Sequence, residues 1–252
     1  MLNGIIDLKG SDRGPTTALF KDIEARVSDD PRYGLLWKDD FITSTANISS
    51  TGVFTTNAAT YVGTVATTGT INRVTSLGHF GAVSLTGPSN DGHGSQIQGG
   101  PTVIPAAGRV IALEGRLKIA AVAGSQLVFG LSIVDATVNT TSNTSTDHIA
   151  VECFTADGVL LPHTEDNTTR TSGTTIGTLG ADTFAKVGMR INGISSVDFY
   201  FNGSKISTGL VADICEGTEI VPTLAVAGDG TTAITCTMDW WQLGVSSISP
   251  SA

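Results

Sequence analysis

The sequence predicts an all-β protein, an antiparallel two-sheet β-sandwich preceded by an N-terminal arm, and three observations carry that prediction. Only 15% of residues are charged, and Thr, Ser, Gly, Ala and Val dominate the composition. Thr and Val suit pleated strands, while abundant Gly supplies turns. Secondly, Ile111, Leu113, Gly115, Leu117, Ile119 and Ala121 alternate with Ala112, Glu114, Arg116, Lys118 and Ala120, giving one apolar and one largely polar face. Thirdly, Val197, Phe199 and Phe201 alternate with Asp198 and Tyr200, and Asn202-Gly203 follows at once. That dipeptide accepts the positive φ angles of a tight hairpin turn, so Lys205-Ile206-Ser207 opens the return strand.

In chain order, residues 1–40 form an arm and residues 41–252 the sandwich. The arm concentrates charge (Asp7, Lys9, Asp12, Arg13, Lys21, Asp22, Glu24, Arg26, Asp29, Asp30) and shows little strand pattern. Phe20, Ile23 and Val27 fall at helical spacing after Pro15-Thr16-Thr17, and Pro31 closes the segment, which predicts one short amphipathic helix. So polar an arm buries too little apolar surface to order itself, and must lie on the sandwich, on a neighbouring copy or on a partner. Leu19, Phe20, Ile23 and Val27 are the residues expected to make that contact.

Trp37–Phe41 reads as the entry to the β-domain. Short strands are expected at Val53-Phe54, Tyr61–Val65, Thr70–Val74 and Ala82–Leu85, then a loop over Gly87–Gly100 with five glycines. The alternating strand from Ile111 comes next. Gln126–Val134 is a continuous apolar run, the pattern of a central strand covered on both sides. Asn139–Thr146 reads as a polar loop, His148–Phe154 as a strand, and Asp157-Gly158 as a turn into Val159–His163. Glu165–Thr178 reads as a second polar loop. Strands are then expected at Phe184–Asn192, Val197–Phe201, Val221–Ala227 and Ala233–Val245. About a dozen strands without a βαβ unit mean antiparallel strands in two packed sheets.

At 252 residues one large β-domain buries roughly 70–75% of its unfolded surface and needs no metal or disulfide staple. The net charge of −9 and the lack of any basic run exclude a nucleic-acid backbone as partner. The start MLNGIIDLKGSDRG lacks the charged and apolar regions of a signal peptide, and no stretch approaches a membrane span, so synthesis in a cytoplasm without membrane insertion is expected. Cys153, Cys215 and Cys236 are odd in number and far apart, which favours buried free thiols over a Cys153–Cys236 disulfide or a zinc site.

From about Leu113 to Val245 the order of elements resembles the concanavalin A-like (laminin-G-like) sandwich, a jelly roll. The resemblance lies in LEGRLKI, LVFGLSIVD, HIAVECFTADGVLLPHT, TFAKVGMRINGISSVDFYFNGSKI and TMDWWQLGV. That family hosts lectins, glycanases and structural modules alike, so the resemblance implies the fold and leaves the activity open. Its glycanases carry an E-x-D-x-E strand, which sets nucleophile and general acid at the roughly 5–5.5 Å separation that retention requires. Here the six glutamates (Glu24, Glu114, Glu152, Glu165, Glu216, Glu219) are dispersed, and no catalytic residue, cofactor or metal site is expected. Asp91 and Asp229 sit in Gly-rich loops that could offer oxygen to calcium; the alternative is turn chemistry, which a single acid per loop favours. His79, His93, His148 and His163 show no ligand spacing to one another. Neighbouring residues of a strand face opposite ways, so Trp240-Trp241 should leave one indole outside, and Tyr200 lies in the polar register of its strand. Tyr200 and Trp241 are the expected surface aromatics.

A sandwich without a catalytic set, a charged arm ahead of it, and a surface rich in Thr, Ser and Gly but poor in Lys together look like a bacteriophage virion component. The expected role is capsid decoration, with the arm clasping a major capsid or tail protein, in a homo-oligomer. A tail-associated receptor-binding or carbohydrate-binding adhesin is the second expectation, with a glycan as its partner.

Overall fold

The chain folds as an antiparallel two-sheet sandwich. The computed structural model describes residues 14–29, 34–41, 45, 47–56, 58–66, 68–74, 81–89, 93–124, 126–134, 146–154 and 157–246. The first elements are helix α1 (Thr17–Asp29), β1 (Gly34–Asp39), β2 (Asn47–Ile48), β3 (Gly52–Thr55), β4 (Thr60–Val65), β5 (Thr70–Arg73) and β6 (Val83–Gly87). The middle of the chain gives β7 (Gly94–Gly99), β8 (Val110–Ile119), β9 (Gln126–Ser132), β10 (His148–Cys153), β11 (Val159–Asp166), β12 (Thr169–Ser172) and β13 (Gly177–Thr178). The last strands are β14 (Ala185–Asn192), β15 (Ser196–Phe201), β16 (Ser204–Leu210), β17 (Val221–Ala227) and β18 (Ile234–Ser246). Sheet A runs β16-β15-β14-β8-β18-β6-β5-β2, with β1 also on β18; sheet B runs β12-β11-β10-β9-β17-β7-β4-β3, with β13 on β11.

Alternation builds the core, as the sequence predicts. Ile111, Leu113, Leu117 and Ile119 of β8 face Leu127, Phe129 and Leu131 of β9 across the sandwich, and all are buried. Phe199 is buried too, while Phe201 at the strand end is half-buried against the same cluster. β9 lies between β10 and β17 and is buried on both faces. The β15–β16 hairpin turns at Asn202 (φ 48°) and Gly203 (φ 83°), the left-handed pair that the dipeptide anticipates.

Three expectations about the chain path are corrected. The Gly87–Gly100 segment contains β7, a strand between β17 and β4; its alternation is masked because the face opposite Ile97 carries Gln96 and Gln98 instead of solvent-facing charge. The polar stretch 165–178 contains the rest of β11, β12 and β13, turned at Asn167 and Thr168, both at positive φ. Strand pairing also begins inside the arm, because β1 pairs with β18 from Gly34↔Ser246 to Asp39↔Trp241.

Helix α1 lies on the outer face of sheet A. The sheet offers it small residues: Ala112 opposite Gly244 on one row and Gly188 on the next. A Cβ at Gly188 would stand 2.9 Å from Leu19 Cδ2, and one at Gly244 would stand 3.1 Å from both Ile23 Cγ2 and Phe20 Cδ1. Leu19, Phe20 and Ile23 are fully buried there with Ala112 and Tyr200. Arg190 of β14 tethers the helix, donating to the Leu19 carbonyl at 2.9 Å and pairing with Asp22 at 3.3 Å.

Phe20→Ala is expected to cost about 3 kcal/mol, the loss typical of a buried aromatic, in urea unfolding followed by tryptophan fluorescence. A change below about 0.5 kcal/mol, the surface-substitution range, would show that α1 contributes nothing to the domain.

Candidate functional site

A group of ionisable side chains lies on the outer side of sheet B, over β10, β11 and β12. Pairing sets His148 opposite Glu165, Ala150 opposite His163, Glu165 opposite Arg170, and His163 opposite Ser172. Alternation turns this set away from the apolar core, yet His148, Glu152, His163 and Glu165 are buried. A carboxylate so placed must be paired. Glu152 takes the Arg170 guanidinium on Oε2, with His163 Nε2 at 3.3 Å and His148 Nε2 at 3.6 Å.

The hydrogen bonds fix the tautomer of His163. Its Nδ1 accepts from Arg170 Nε at 3.1 Å and meets Ser172 Oγ at 2.9 Å, which leaves the proton on Nε2, toward Glu152. Burial, reinforced by Arg170 and His148, lowers its pKa to about 3, so His163 is neutral at ordinary pH. Burial raises the pKa of Glu165, with Arg170 opposing and Asp147 reinforcing the rise. The polar face continues over β9, β17 and β7, where Gln98 Nε2 donates to Ser132 Oγ at 3.0 Å and Thr223 Oγ1 at 3.1 Å. Chemically, Glu152 serves as the counter-ion of Arg170, and neutral His163 joins them.

Of the sequence-predicted site residues, those of the arm take the first of the placements open to them, on the sandwich, while the two aromatics are not exposed. Leu19, Phe20 and Ile23 meet their own sheet, and Val27 is half-buried at the edge of the same contact. Tyr200 does point to the outer face of sheet A, but α1 covers it. Trp241 is not a surface residue: it is fully buried between the sheets. The cause is a bulge in β18 between Met238 and Trp240, which places both Met238 and Trp241 opposite core positions of β8 (Leu117 and Gly115). Trp241 Nε1 donates to Tyr61 Oη at 3.1 Å, which donates in turn to Asp39 Oδ2 at 2.6 Å. Trp240 faces outward in register but is also buried.

Asp229 makes a turn. Its Oδ1 accepts from Thr231 N at 2.8 Å, Thr232 N at 2.7 Å and Thr231 Oγ1 at 2.9 Å, and these bonds lower its pKa. Asp91 and His79 lie outside the described residues. Among the described residues no group of three or more His, Cys, Asp and Glu is arranged to hold a metal. The three cysteines are buried and none is in a disulfide, and burial pushes Cys215 and Cys236 up to about 12, which leaves both unreactive as nucleophiles. Sequence reasoning missed Arg170 and Ser172, because the strand that carries them reads as polar loop; the signal available was the turn-prone Asn167-Thr168 between two runs able to pair.

No family model and no curated protein matches the sequence. Solved structures resemble its fold. A protein of unknown function from Shewanella oneidensis MR-1, SO2946, superposes with a TM-score of 0.61 at 14% identity, over 87% of this chain and 90% of that one. Botulinum neurotoxin type C, whose cell entry depends on two ganglioside molecules, gives 0.51 at 12% identity over 87% of this chain and 49% of the toxin chain. The endo-β-galactosidase of Clostridium perfringens that releases GlcNAcα1-4Gal gives 0.45 at 12% identity, over 84% and 62%. At these identities the likeness is one of fold alone, a two-sheet β-sandwich.

Arg170→Met is expected to destabilise the domain by about 3 kcal/mol, because it strands Glu152 as a buried charge. The double variant Arg170→Met/Glu152→Gln should recover most of that loss in the same urea assay; a double variant as unstable as the single one would show that the charge is not the cause. The lowered pKa of His163 has its own signature. The unfolded chain takes up a proton near 6.5 while the folded one resists down to about 3, so this contribution is complete above pH 6.5 and fades as pH falls toward 3. Wild-type stability should therefore fall more steeply than that of His163→Gln across this window, and parallel curves would contradict the assignment.

Proposed function

We propose that the protein is a non-enzymatic structural module of a virion, with decoration of the capsid as its role. One observation carries the non-enzymatic part: of the three glutamates described on strands, Glu114 and Glu152 are held by partners of their own chain, and Glu165 lies 3.9 Å from buried His148. Glu152 is held by Arg170 and His163, and Glu114 of β8 accepts Thr16 N–H at 2.7 Å and Thr16 Oγ1–H at 2.5 Å. General acid–base cleavage of a glycosidic bond needs two carboxyl groups facing one substrate, one of them able to give up a proton. Here Glu114 stands on the outer face of sheet A, apart from Glu152 and Glu165 on that of sheet B, where buried His148 lies between the two carboxyl groups.

The virion part is supported by composition: a low charged fraction, a Thr-, Ser- and Gly-rich chain, and a charged segment ahead of the sandwich. Because Leu19, Phe20 and Ile23 are engaged within the chain, contact with a capsid falls to other surfaces. The exposed apolar residues Leu35 and Leu36 on β1, which pairs with β18 alone, and the exposed cross-strand pair Val53 and Val62 on β3 and β4 are suited to it. An edge strand presents unpaired N–H and C=O groups to which another chain can add.

The full chain is expected to co-sediment with assembled capsids at a fixed copy ratio, and to be found by mass spectrometry in purified virions. It should release no reducing ends from a panel of polysaccharides. Failure to associate with particles would remove the virion reading, whereas turnover lost in Glu152→Gln would remove the non-enzymatic one.

A further inference from the structure

β12 ends sheet B. It pairs with β11 from His163↔Ser172 to Asp166↔Thr169, and its other edge meets no strand among the described residues. None of its four side chains is buried, so apolar contact does little to hold it. What fastens it is polar, and the side-chain bonds of Arg170, Thr171 and Ser172 all end on titratable groups. On the outer face Arg170 holds Glu152, Arg170 Nε donates to His163 Nδ1 at 3.1 Å, and Ser172 Oγ meets the same nitrogen at 2.9 Å. On the opposite face Thr171 Oγ1 donates to Asp213 Oδ2 at 2.5 Å.

The segment has a fixed point at each end. Ahead of it, the turn holds Asn167 and Thr168 at φ 48° and 71°, a strained conformation for a β-branched threonine. Beyond it, Ile176 is buried and its N–H donates to the Leu160 carbonyl at 3.0 Å. Residues 169–175 therefore form a strap that can lift between two anchors while the rest of the sheet stays paired.

His163 is where acid acts on it. Both groups on its Nδ1 come from β12, and a guanidinium can only donate. A proton on that nitrogen removes the acceptor and sets two cations against each other. His163 is surrounded by Glu152 and His148 of β10, Glu165 on its own strand, and Arg170 and Ser172 of β12. Lifting β12 takes Arg170 away from Glu152, and a buried carboxylate that loses its cation favours its protonated form. The lifted state thus binds more protons than the closed one. Other acids pull less decisively. Burial raises the pKa of Glu165 and of Asp166, with Asp147 reinforcing both and Asp213 and Glu216 reinforcing Asp166. Asp147, Asp213 and Glu216 stand on segments other than β12, so most of that effect is common to the closed and lifted states. Glu165 loses both burial and the Arg170 charge on release, and these act in opposite senses.

We propose that β12 is an acid-released strap: proton uptake at His163 and Glu152 frees residues 169–175 and bares the backbone edge of β11 from His163 to Asp166. The device is independent of whether the chain decorates a virion, since none of its residues belongs to the surfaces assigned to that role.

The test is amide hydrogen exchange of the isotope-labelled full chain at pH 7 and pH 5, each rate corrected for intrinsic exchange. The pKa of His163 lies at about 3 when the strap is closed and near 6.5 when the ring is free, so most of its change in proton uptake begins within this interval. Protection of the amides shared by β11 and β12 should fall by about tenfold or more from pH 7 to pH 5, while that of β9 and β14 stays unchanged. His163→Gln should lose several-fold less protection than wild type over the same interval. Ser172→Ala, at an exposed position, should lower β12 protection already at pH 7 and leave β9 as it was, which keeps the proposal testable should the glutamine variant fold poorly. No fall in β12, a fall shared equally by β9 and β14, an equal fall in folded His163→Gln, or loss of β9 protection equal to that of β12 in Ser172→Ala would each overturn it.

Discussion

Sheet A is covered on its outer face by a helix that begins on a buried carboxylate, and the arrangement of that face follows from this contact. A helix leaves its first N–H groups without partners and carries a partial positive charge at that end. Glu114 of β8, fully buried, meets that end through both the backbone and the hydroxyl of Thr16. Burial raises the pKa of Glu114, and the two bonds from Thr16 with the field of Lys186 pull against the rise. The carboxylate therefore depends on the helix as much as the helix depends on it. Removing α1 would leave a buried acid facing water beside a trough shaped by Ala112, Gly188 and Gly244, small residues whose positions fit no other obvious packing purpose.

The strand that anchors this arrangement, β18, serves three neighbours at once: β8 along most of its length, β6 at its start and β1 at its end. One extra residue in it changes what faces where. Without the bulge after Met238, strict alternation would send Trp240 inward and Trp241 outward. With it, Trp241 enters the core between Trp37, Phe41 and Tyr61, at ring-centroid distances of 5.6 to 6.1 Å. Asp39 closes that aromatic group from β1, accepting from Tyr61 and from the Phe41 N–H. The segment ahead of residue 41 is therefore tied into the sandwich twice, through the Asp39 network and through α1. The same bulge brings Asp239 to Arg116, so one inserted residue supplies both a core aromatic and the counter-ion of Arg116.

Much of this was legible in the residues. Period-two alternation in β8 and β15, the apolar run of β9 and the Asn202-Gly203 turn are local signals, and each element formed where its signal lay. The spacing of Phe20, Ile23 and Val27 likewise gave α1, but it could not say what the helix would touch. That depended on glycines far away in sequence, at 188 and 244, which read as ordinary strand interruptions. β7 escaped because its non-core side carries the buried glutamines Gln96 and Gln98, of which Gln96 donates to Gln98 and Gln98 reaches β9 and β17. The Glu152 cluster escaped for the same reason: His148, His163 and Arg170 have no ligand-like spacing along the chain and meet only through antiparallel pairing. The bulge in β18 carried no composition signal at all.

Within the described residues, the carboxylates of Glu114, Glu152 and Asp239 are buried and each is matched by a donor or cation of its own chain. Lys186 reaches the Gly14 carbonyl at 3.4 Å and acts through its field on Glu114. On both outer faces, then, buried carboxylates of the strands are part of what holds the sandwich together.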